Sequence, residues 1–295
     1  MNIALKQLKV FVMVAKEKTI TAASEKLFLS KPAVSMALTE LEKNIGHKLF
    51  DRHNNRLLIN HHGKRLLPLA DELLKRTLDI ESLFLDQDKL VGKLNIGCSD
   101  TIGNQIIPYL LQNFRSETGH VNQDVIINNT AAICQDISEF KLDIGLVEGA
   151  VSNNQLMTIP WLTDDMCIIC HPEHPLSKLK SMTLNDIEEH SWILRESGSG
   201  TRDYFMNNLT PKLHKWSIAF ELTNTQALIN FVSCNLGLAL LSYHSAKHAI
   251  DDGRVVSLSV PLEISRQYSL VYHKEKYQSP LIQAFIEYCE RWDLK

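Results

Sequence analysis

The chain has 295 residues, of which 44% are hydrophobic and 22% charged, with a net charge of −3. These values are ordinary for a globular protein of about two domains. No apolar run approaches the ~20 residues a membrane helix needs, and Met1–Val10 is amphipathic rather than basic-then-apolar, so a cytoplasmic protein is expected. The charge is unevenly spread. Residues 1–65 hold twelve Lys/Arg against five Asp/Glu, a net of +7, and the remainder carries −10. A basic head on an acidic body suits a polyanion at one end, with chance unevenness as the bland alternative. The six cysteines (Cys98, Cys134, Cys167, Cys170, Cys234, Cys289) are mostly isolated in apolar segments and read as reduced, buried thiols.

Leu5, Leu8, Phe11, Val12 and Ala15 recur at helical steps, predicting a first helix that ends near Lys18. Thr19 or Thr21 caps a short second helix with Ala22, Ala23 and Leu27 inward. Ser30 is the N-cap of a third, and Pro32 lies in its first turn, where a missing N–H costs nothing. From Lys31 to about Asn44, Val34, Ala37, Leu38, Leu41 and Ile45 share one side. Pro32, Ser35, Met36, Thr39 and Lys43 share the other, a small and partly basic face that fits a DNA major groove. Ser30 and the helix N-terminus suit a phosphate. After a stop at Gly46, Leu49–Arg52, the turn signal Asn54-Asn55 and Leu57–Asn60 read as a two-stranded wing. Arg52 and Arg56 flank its tip, either meeting phosphates or merely solvated.

The run Ala22-Ala23-Ser24-Glu25-Lys26-Leu27-Phe28-Leu29-Ser30-Lys31-Pro32-Ala33-Val34-Ser35, then Leu41-Glu42, then Gly46-His47-Lys48-Leu49-Phe50-Asp51-Arg52, resembles the LysR-type transcriptional regulators. The likeness extends over nearly the whole chain. It implies double-stranded DNA as partner, read by Ser30, Lys31, Pro32, Ser35, Met36, Thr39, Arg52 and Arg56. Lys31 and Met36 depart from the residues frequent in the family. Lys31 offers a point charge in place of a bidentate contact, and Met36 offers a thymine-methyl contact but no hydrogen bond.

A long helix is predicted from Lys64 to about Gln87, after Gly63 ends the wing. Leu66, Ala70, Leu73, Thr77, Ile80 and Phe84 form a heptad seam, fit either for pairing or for packing on the chain's own domain. The resemblance implies pairing, hence a homodimer and a homotetramer.

Beyond Gly92, strands at 93–97, 125–128 and 143–147 alternate with a helix that begins near Thr101 or Asn104 and another near 131–140. A second set has strands at 166–169, 191–194 and 238–241 and a helix at 225–235. Such alternation predicts parallel α/β sheets in two subdomains flanking a cleft. The expected class is α/β with an α-rich winged helix-turn-helix head, and the resemblance implies a two-subdomain effector domain like periplasmic binding proteins. The expected divisions are 1–62 for the head, 63–90 for the linker helix and 91–295 for the effector domain. The resemblance implies that subdomain I spans about 91–160 and 267–295 and subdomain II about 161–266, with a final helix from Pro280 to Arg291.

A ligand would sit at helix N-termini beyond strand ends. Ser99 and Thr101, then Ser197, Ser199, Gly200, Thr201 and Arg202, are the main candidates. Asn129, Thr130 and Thr225 are weaker ones. With the resemblance, a small anionic effector is expected, a sulfur oxyanion or small carboxylate. Cys167, Cys170, His171 and His174 form C-x₂-C and H-x₂-H back to back, but strand cysteines three apart face opposite ways, so structural core is favoured over metal. Ser199 lies in Gly-Ser-Gly rather than a nucleophile elbow, and no Walker A or dinucleotide fingerprint follows a strand. No catalytic residue, metal or cofactor is expected. An enzyme or a small-molecule-binding protein with no DNA role is the alternative.

Overall fold

The computed structural model describes residues 3–54, 56–84, 90–179 and 182–293. The head begins with α1 (Leu5–Glu17), which stops at Lys18 in the left-handed conformation (φ 61°). Thr19 then caps α2 (Ile20–Leu27), its hydroxyl accepting the Ala22 N–H at 3.1 Å. Ser30 caps α3 (Lys31–Ile45) in the same way through Ala33 at 3.3 Å, and Gly46 ends it at φ 81°. Phe11, Val14, Ala23, Val34, Leu38, Leu41 and Leu49 are buried together between these helices, and large apolar side chains contribute about 1.5–3 kcal/mol each when fully buried. Leu5, expected inside, stays half exposed at 50%.

The wing is the antiparallel pair β1 (Phe50–His53) and β2 (Arg56–Ile59). Asn55 of the expected turn lies outside the described residues. The long helix α4 (His61–Ser82) starts three residues before the expected Lys64, because Asn60 is the cap and accepts the Gly63 N–H at 3.0 Å. Gly63 therefore sits within the first turn. A Cβ there would lie 2.4 Å from the Leu49 carbonyl oxygen and 2.5 Å from Ile59 Cγ1, so the glycine lets the helix pack under the wing. The expected end at Leu85–Gln87 lies outside the described residues. No helix among those described is long and apolar enough to cross a membrane.

The body opens with β3 (Leu94–Cys98), α5 (Asp100–Gln105), α6 (Ile107–Thr118), β4 (Gln123–Ile127), α7 (Thr130–Ser138) and β5 (Ile144–Glu148). Strand β3 pairs in parallel with β4 and β5. The chain then enters the 15-residue β6 (Leu156–Cys170). Beyond it come β7 (Ser191–Arg195), α8 (Gly200–Tyr204), β8 (Ser217–Leu222), α9 (Thr225–Ser233), β9 (Ala239–Ser242), α10 (Tyr243–Asp251), β10 (Val256–Leu258), β11 (Ser265–His273) and α11 (Pro280–Arg291).

The expectation of parallel sheets holds for β3–β4–β5 and for β7–β8. It is corrected at the crossover. Strands β6 and β11 pair antiparallel with each other, β11 also with β5, and β6 also with β9 and β10. The pattern of apolar runs carries no strand direction, which long-range pairing decides. Residues 156–160 of β6 pair with 269–273 of β11, and 163–165 pair with 265–267, with a register shift between Gln267 and Ser269. Trp161 falls at that shift, where the crossing was expected. Two apolar cores lie in the lobe of β3–β5, to which β11 and α11 also contribute, and two in the lobe of β7–β10. Cys167 packs in one of the latter with Ile169, and Cys170 in the other with Ile168, so the C-x₂-C pair faces opposite sides of β6.

Candidate DNA-reading face and effector cleft

Ser30, Lys31, Pro32, Ser35, Met36 and Thr39 are all exposed along one side of α3, and Met36 is 64% exposed. The Thr39 hydroxyl donates back to the Ser35 carbonyl at 2.9 Å. Arg52 and Arg56 are exposed on adjacent wing strands. Asn54 between them takes φ 45°, a conformation asparagine tolerates in tight turns. Glu42 positions the wing. It is buried, accepts the Leu49 N–H at 3.0 Å and pairs with Lys48 at 2.7 Å. His62 stacks on His47 with ring centroids 4.3 Å apart, at the wing's base rather than its tip. Local desolvation and the neighbouring His47, His61 and Arg65 lower its pKa.

The two body subdomains meet around Arg266, which is 5% exposed. Its Nε donates to Asp164 at 2.8 Å, Nη1 to the Thr201 hydroxyl at 2.9 Å and Nη2 to the Thr101 hydroxyl at 3.3 Å. Nη2 also ion-pairs with Glu148 at 3.0 Å. Burial alone disfavours the cation, but Glu148 and Asp164 outweigh it and hold the Arg266 pKa above its ordinary value. Thr201 completes the cluster by donating to Glu148 at 3.2 Å. One arginine on the crossover strand therefore holds Thr101 of α5 and Thr201 of α8.

A second arginine works beside it. Arg195, at the end of β7 and 2% exposed, reaches Asp100 of α5 at 3.1 Å, the Thr225 hydroxyl at 2.9 Å and Glu196 at 2.8 Å. The Thr225 N–H also donates to Asp100 at 3.1 Å. Further bonds span the cleft from Asn129 to Glu196 at 3.2 Å and from the Ala131 N–H to the Gly198 carbonyl at 3.1 Å. The subdomains are thus already clasped by the chain's own groups. A cavity of about 490 Å³ adjoins this clasp, lined in part by Asp100, Asn104, Asn224 and Thr225.

The sequence-derived candidates divide in this setting. Ser99, Thr101, Ser199 and Thr201 are buried together at the junction, and neither serine hydroxyl has a hydrogen-bond partner. Helices α5 and α8 have only six and five residues, so hydroxyls, more than a helix dipole, define the site. Gly200 packs so closely on Glu148 that a Cβ would lie 2.2 Å from the Glu148 carbonyl oxygen. Asn129 caps α7, and the Thr130 hydroxyl donates to the Glu148 carbonyl at 3.0 Å. Ser197 is exposed. Arg202 is not brought into the cluster, because its guanidinium donates to the Arg195 carbonyl at 2.9 Å and pairs with Glu221. Glu148, Asp164, Arg195 and Arg266 were not anticipated. The available signal was a charged residue set in or ending an apolar strand, where an unpaired charge would be costly.

Comparison with known proteins agrees with this architecture. Residues 5–64 match the family model described as a bacterial regulatory helix-turn-helix protein, lysR family, and residues 87–293 match the LysR substrate binding domain. The HTH-type transcriptional regulator YeiE of Escherichia coli K12 is 35% identical over 291 residues, covering 98% of each chain. CysL of Bacillus subtilis is 32% identical over 80% of this chain and 79% of its own. Among solved structures, a full-length OxyR variant from Pseudomonas aeruginosa superposes with a TM-score of 0.76 at 18% identity, covering 99% of this chain and 96% of its own. The CcmR regulatory domain from Synechocystis, solved with 2-PG, gives 0.63 at 21% identity over 68% and 96%. With its basic helix-turn-helix head and two-lobed body, the chain belongs to the LysR family of DNA-binding transcriptional regulators, with an effector-binding domain rather than an enzyme's active site.

Proposed function

We propose that this regulator reads DNA with Ser30, Lys31, Pro32, Ser35, Met36 and Thr39 while Arg52 and Arg56 hold phosphates, and that a small effector lodges at Ser99, Thr101, Ser199 and Thr201. The buried, unpartnered hydroxyls of Ser99 and Ser199 beside Arg266 carry the effector reading, since buried polar groups are otherwise almost always satisfied. Asn129 and Thr130 support the cleft wall, and Arg195 and Arg266 position it. The effector is a small anion, a sulfur oxyanion or small carboxylate, held by hydroxyl donors. Structural neighbours solved with 2-PG and with shikimate support this size class. The protein acts in the cytoplasm.

The division into a head (1–62), linker (63–90) and two-lobed effector domain (91–295) follows the same reading. Leu69, Leu73 and Ile80 are 58%, 49% and 57% exposed along one side of α4, which suits a second copy of the helix. A homodimer so formed presents two heads to two half-sites, and dimers pair into a tetramer. Because the cleft is already bridged, the effector acts by favouring one of two arrangements, which requires different affinities for them.

A thermal-shift titration of the full-length protein with sulfite, phosphate and small carboxylates tests the effector reading. At least one is expected to raise the midpoint, and Ser99→Ala with Ser199→Ala to abolish the rise while leaving DNA binding in place. A shift that survives both substitutions would place the ligand elsewhere.

A further inference from the structure

The body reaches into the head through the turn that closes α7. The Phe140 N–H meets the Ile137 carbonyl at 3.0 Å, and the Lys141 N–H meets that of Asp136 at 2.9 Å. The closing residue of such a turn is left-handed and usually glycine. Here it is phenylalanine at φ 58°, an unfavourable conformation for a bulky side chain. The ring accounts for the choice. Phe140 is 2% exposed and is, among the described residues, the only one from the body in the apolar cluster that fills the head. His273 and Lys276 back it on the body side, with ring centroids 4.5 Å apart and the ammonium 5.0 Å from the ring centre.

The residue beside it holds the head by charge. Glu139 pairs with Lys18 at 2.9 Å. Lys18 is itself left-handed, and its carbonyl accepts the Leu57 N–H at 2.8 Å. Leu57 lies on β2, follows Arg56 and pairs with Arg52 across the wing. The body thus holds Lys18, and Lys18 holds the strand that sets where Arg52 and Arg56 stand. At its other end α7 begins in the cleft, where Asn129 bonds to Glu196 and the Ala131 N–H to the Gly198 carbonyl. One helix of nine residues, about 13 Å long, therefore joins the cleft to the anchor of the wing.

We propose that Glu139 and Phe140 are positioning residues for DNA binding, which fix the wing from the body so that Arg52 and Arg56 reach phosphates while α3 sits in the groove. The proposal rests on the assignment of those arginines to phosphates. Neither Glu139 nor Phe140 needs to touch DNA. A wing released from Lys18 must be ordered anew on binding, at a cost in conformational entropy.

The test is fluorescence anisotropy of the full-length protein at several salt concentrations, with a duplex that the wild-type protein selects from a random-sequence pool. Arg52→Ala is the reference for a lost wing contact. Glu139→Lys and Phe140→Gly should each weaken binding about 2- to 30-fold, the range for residues that act on a site without contacting its ligand. Each should flatten the salt dependence as Arg52→Ala does, and Arg52→Ala should cost less in either background than in the wild type. Glu139→Lys adds a positive charge, which by general attraction would tighten binding, so a loss of affinity separates positioning from net charge. Phe140→Gly suits the left-handed backbone and removes the ring; if it fails to fold, Glu139→Lys decides alone. Unchanged or tighter binding by Glu139→Lys overturns the proposal, as does full additivity with Arg52→Ala. An Arg52→Ala protein with an unchanged salt slope removes the wing reading and this proposal together.

Discussion

Lys75 of α4 lays its ammonium 2.6 Å from Asp143, the residue that leads into β5. Asp143 also faces Lys276 at 3.0 Å and accepts the Asn95 N–H at 2.9 Å through its other oxygen. Lys276 in turn meets Asp71 of α4 at 3.0 Å. Two cations and two anions thus join the linker helix to the body. Burial pushes the Asp143 pKa up, but Lys276 and Lys75 outweigh it and hold the carboxyl well below its usual range. Burial and repulsion from Lys276 lower that of Lys75. Strand β5 runs from this cluster to Glu148 at the subdomain junction, so four residues lie between Asp143 and Glu148.

Removing Lys276 leaves Asp71 and Asp143 buried, each 5% exposed or less, with a central cation lost. Lys276→Ala is expected to cost about 3–5 kcal/mol, the usual penalty for breaking a buried ion pair. Lys75→Ala should cost less, because its side chain is 18% exposed and Asp143 keeps Lys276. Urea unfolding followed by tryptophan fluorescence checks both. Equal midpoints for wild type and Lys276→Ala would show that the network adds nothing.

Acid should weaken the contact between head and body. Glu139 takes Lys18 of the head at 2.9 Å and Lys141 at 2.8 Å. Burial alone would raise its pKa, but hydrogen bonds from Lys141, Lys18 and Gln135 bring it from 4.5 to about 2. A carboxyl depressed on folding stabilises fully above its unfolded value and loses that contribution as pH falls through its folded value. Stability from Glu139 is therefore present above about 4.5 and lost toward about 2. Glu139→Gln should flatten the stability profile across that window, and an unaltered acid limb would remove Glu139 from the account.

Thiol reactivity should single out Cys234, the exposed cysteine. Burial pushes Cys134 and Cys170 up to about 11 and Cys167 to about 12, and raises Cys98 and Cys289 as well. The thiolate is the reactive species. A chromogenic disulfide reagent should consume one thiol in the native protein and the others only after denaturation. Rapid modification of Cys167 or Cys170 in the folded state would contradict their packing.

On DNA, Arg52→Ala and Arg56→Ala should each weaken binding across sequences and reduce the slope of log affinity against log salt by about one. Ser35→Ala and Met36→Ala should alter preference among operator sequences while leaving that slope intact. Fluorescence anisotropy at several salt concentrations separates the two behaviours. A salt slope unmoved by either arginine would take the wing off the phosphates.

The head was legible in the sequence because its determinants are local. Thr19, Ser30 and Gly46 mark helix ends through bonds to residues three or four positions away, and the period of Val34, Leu38 and Leu41 sets the buried face. In the body, apolar runs revealed most strands, the segments between them suggested α7 and α9, and α11 followed from the family resemblance. Strand direction at β6 and β11 was not legible, since it depends on pairing between residues a hundred or more positions apart. The same separation hid the cleft. Ser99 and Ser199 were visible as hydroxyls after strands, but Arg266 reaches Thr101 and Asp164 across 165 and 102 residues. Sequence by itself therefore determined which segments form the helix-turn-helix and which loops face the cleft. Tertiary structure alone decided which charges neutralise one another there, because a buried arginine takes its partners from whatever the fold brings within hydrogen-bonding reach.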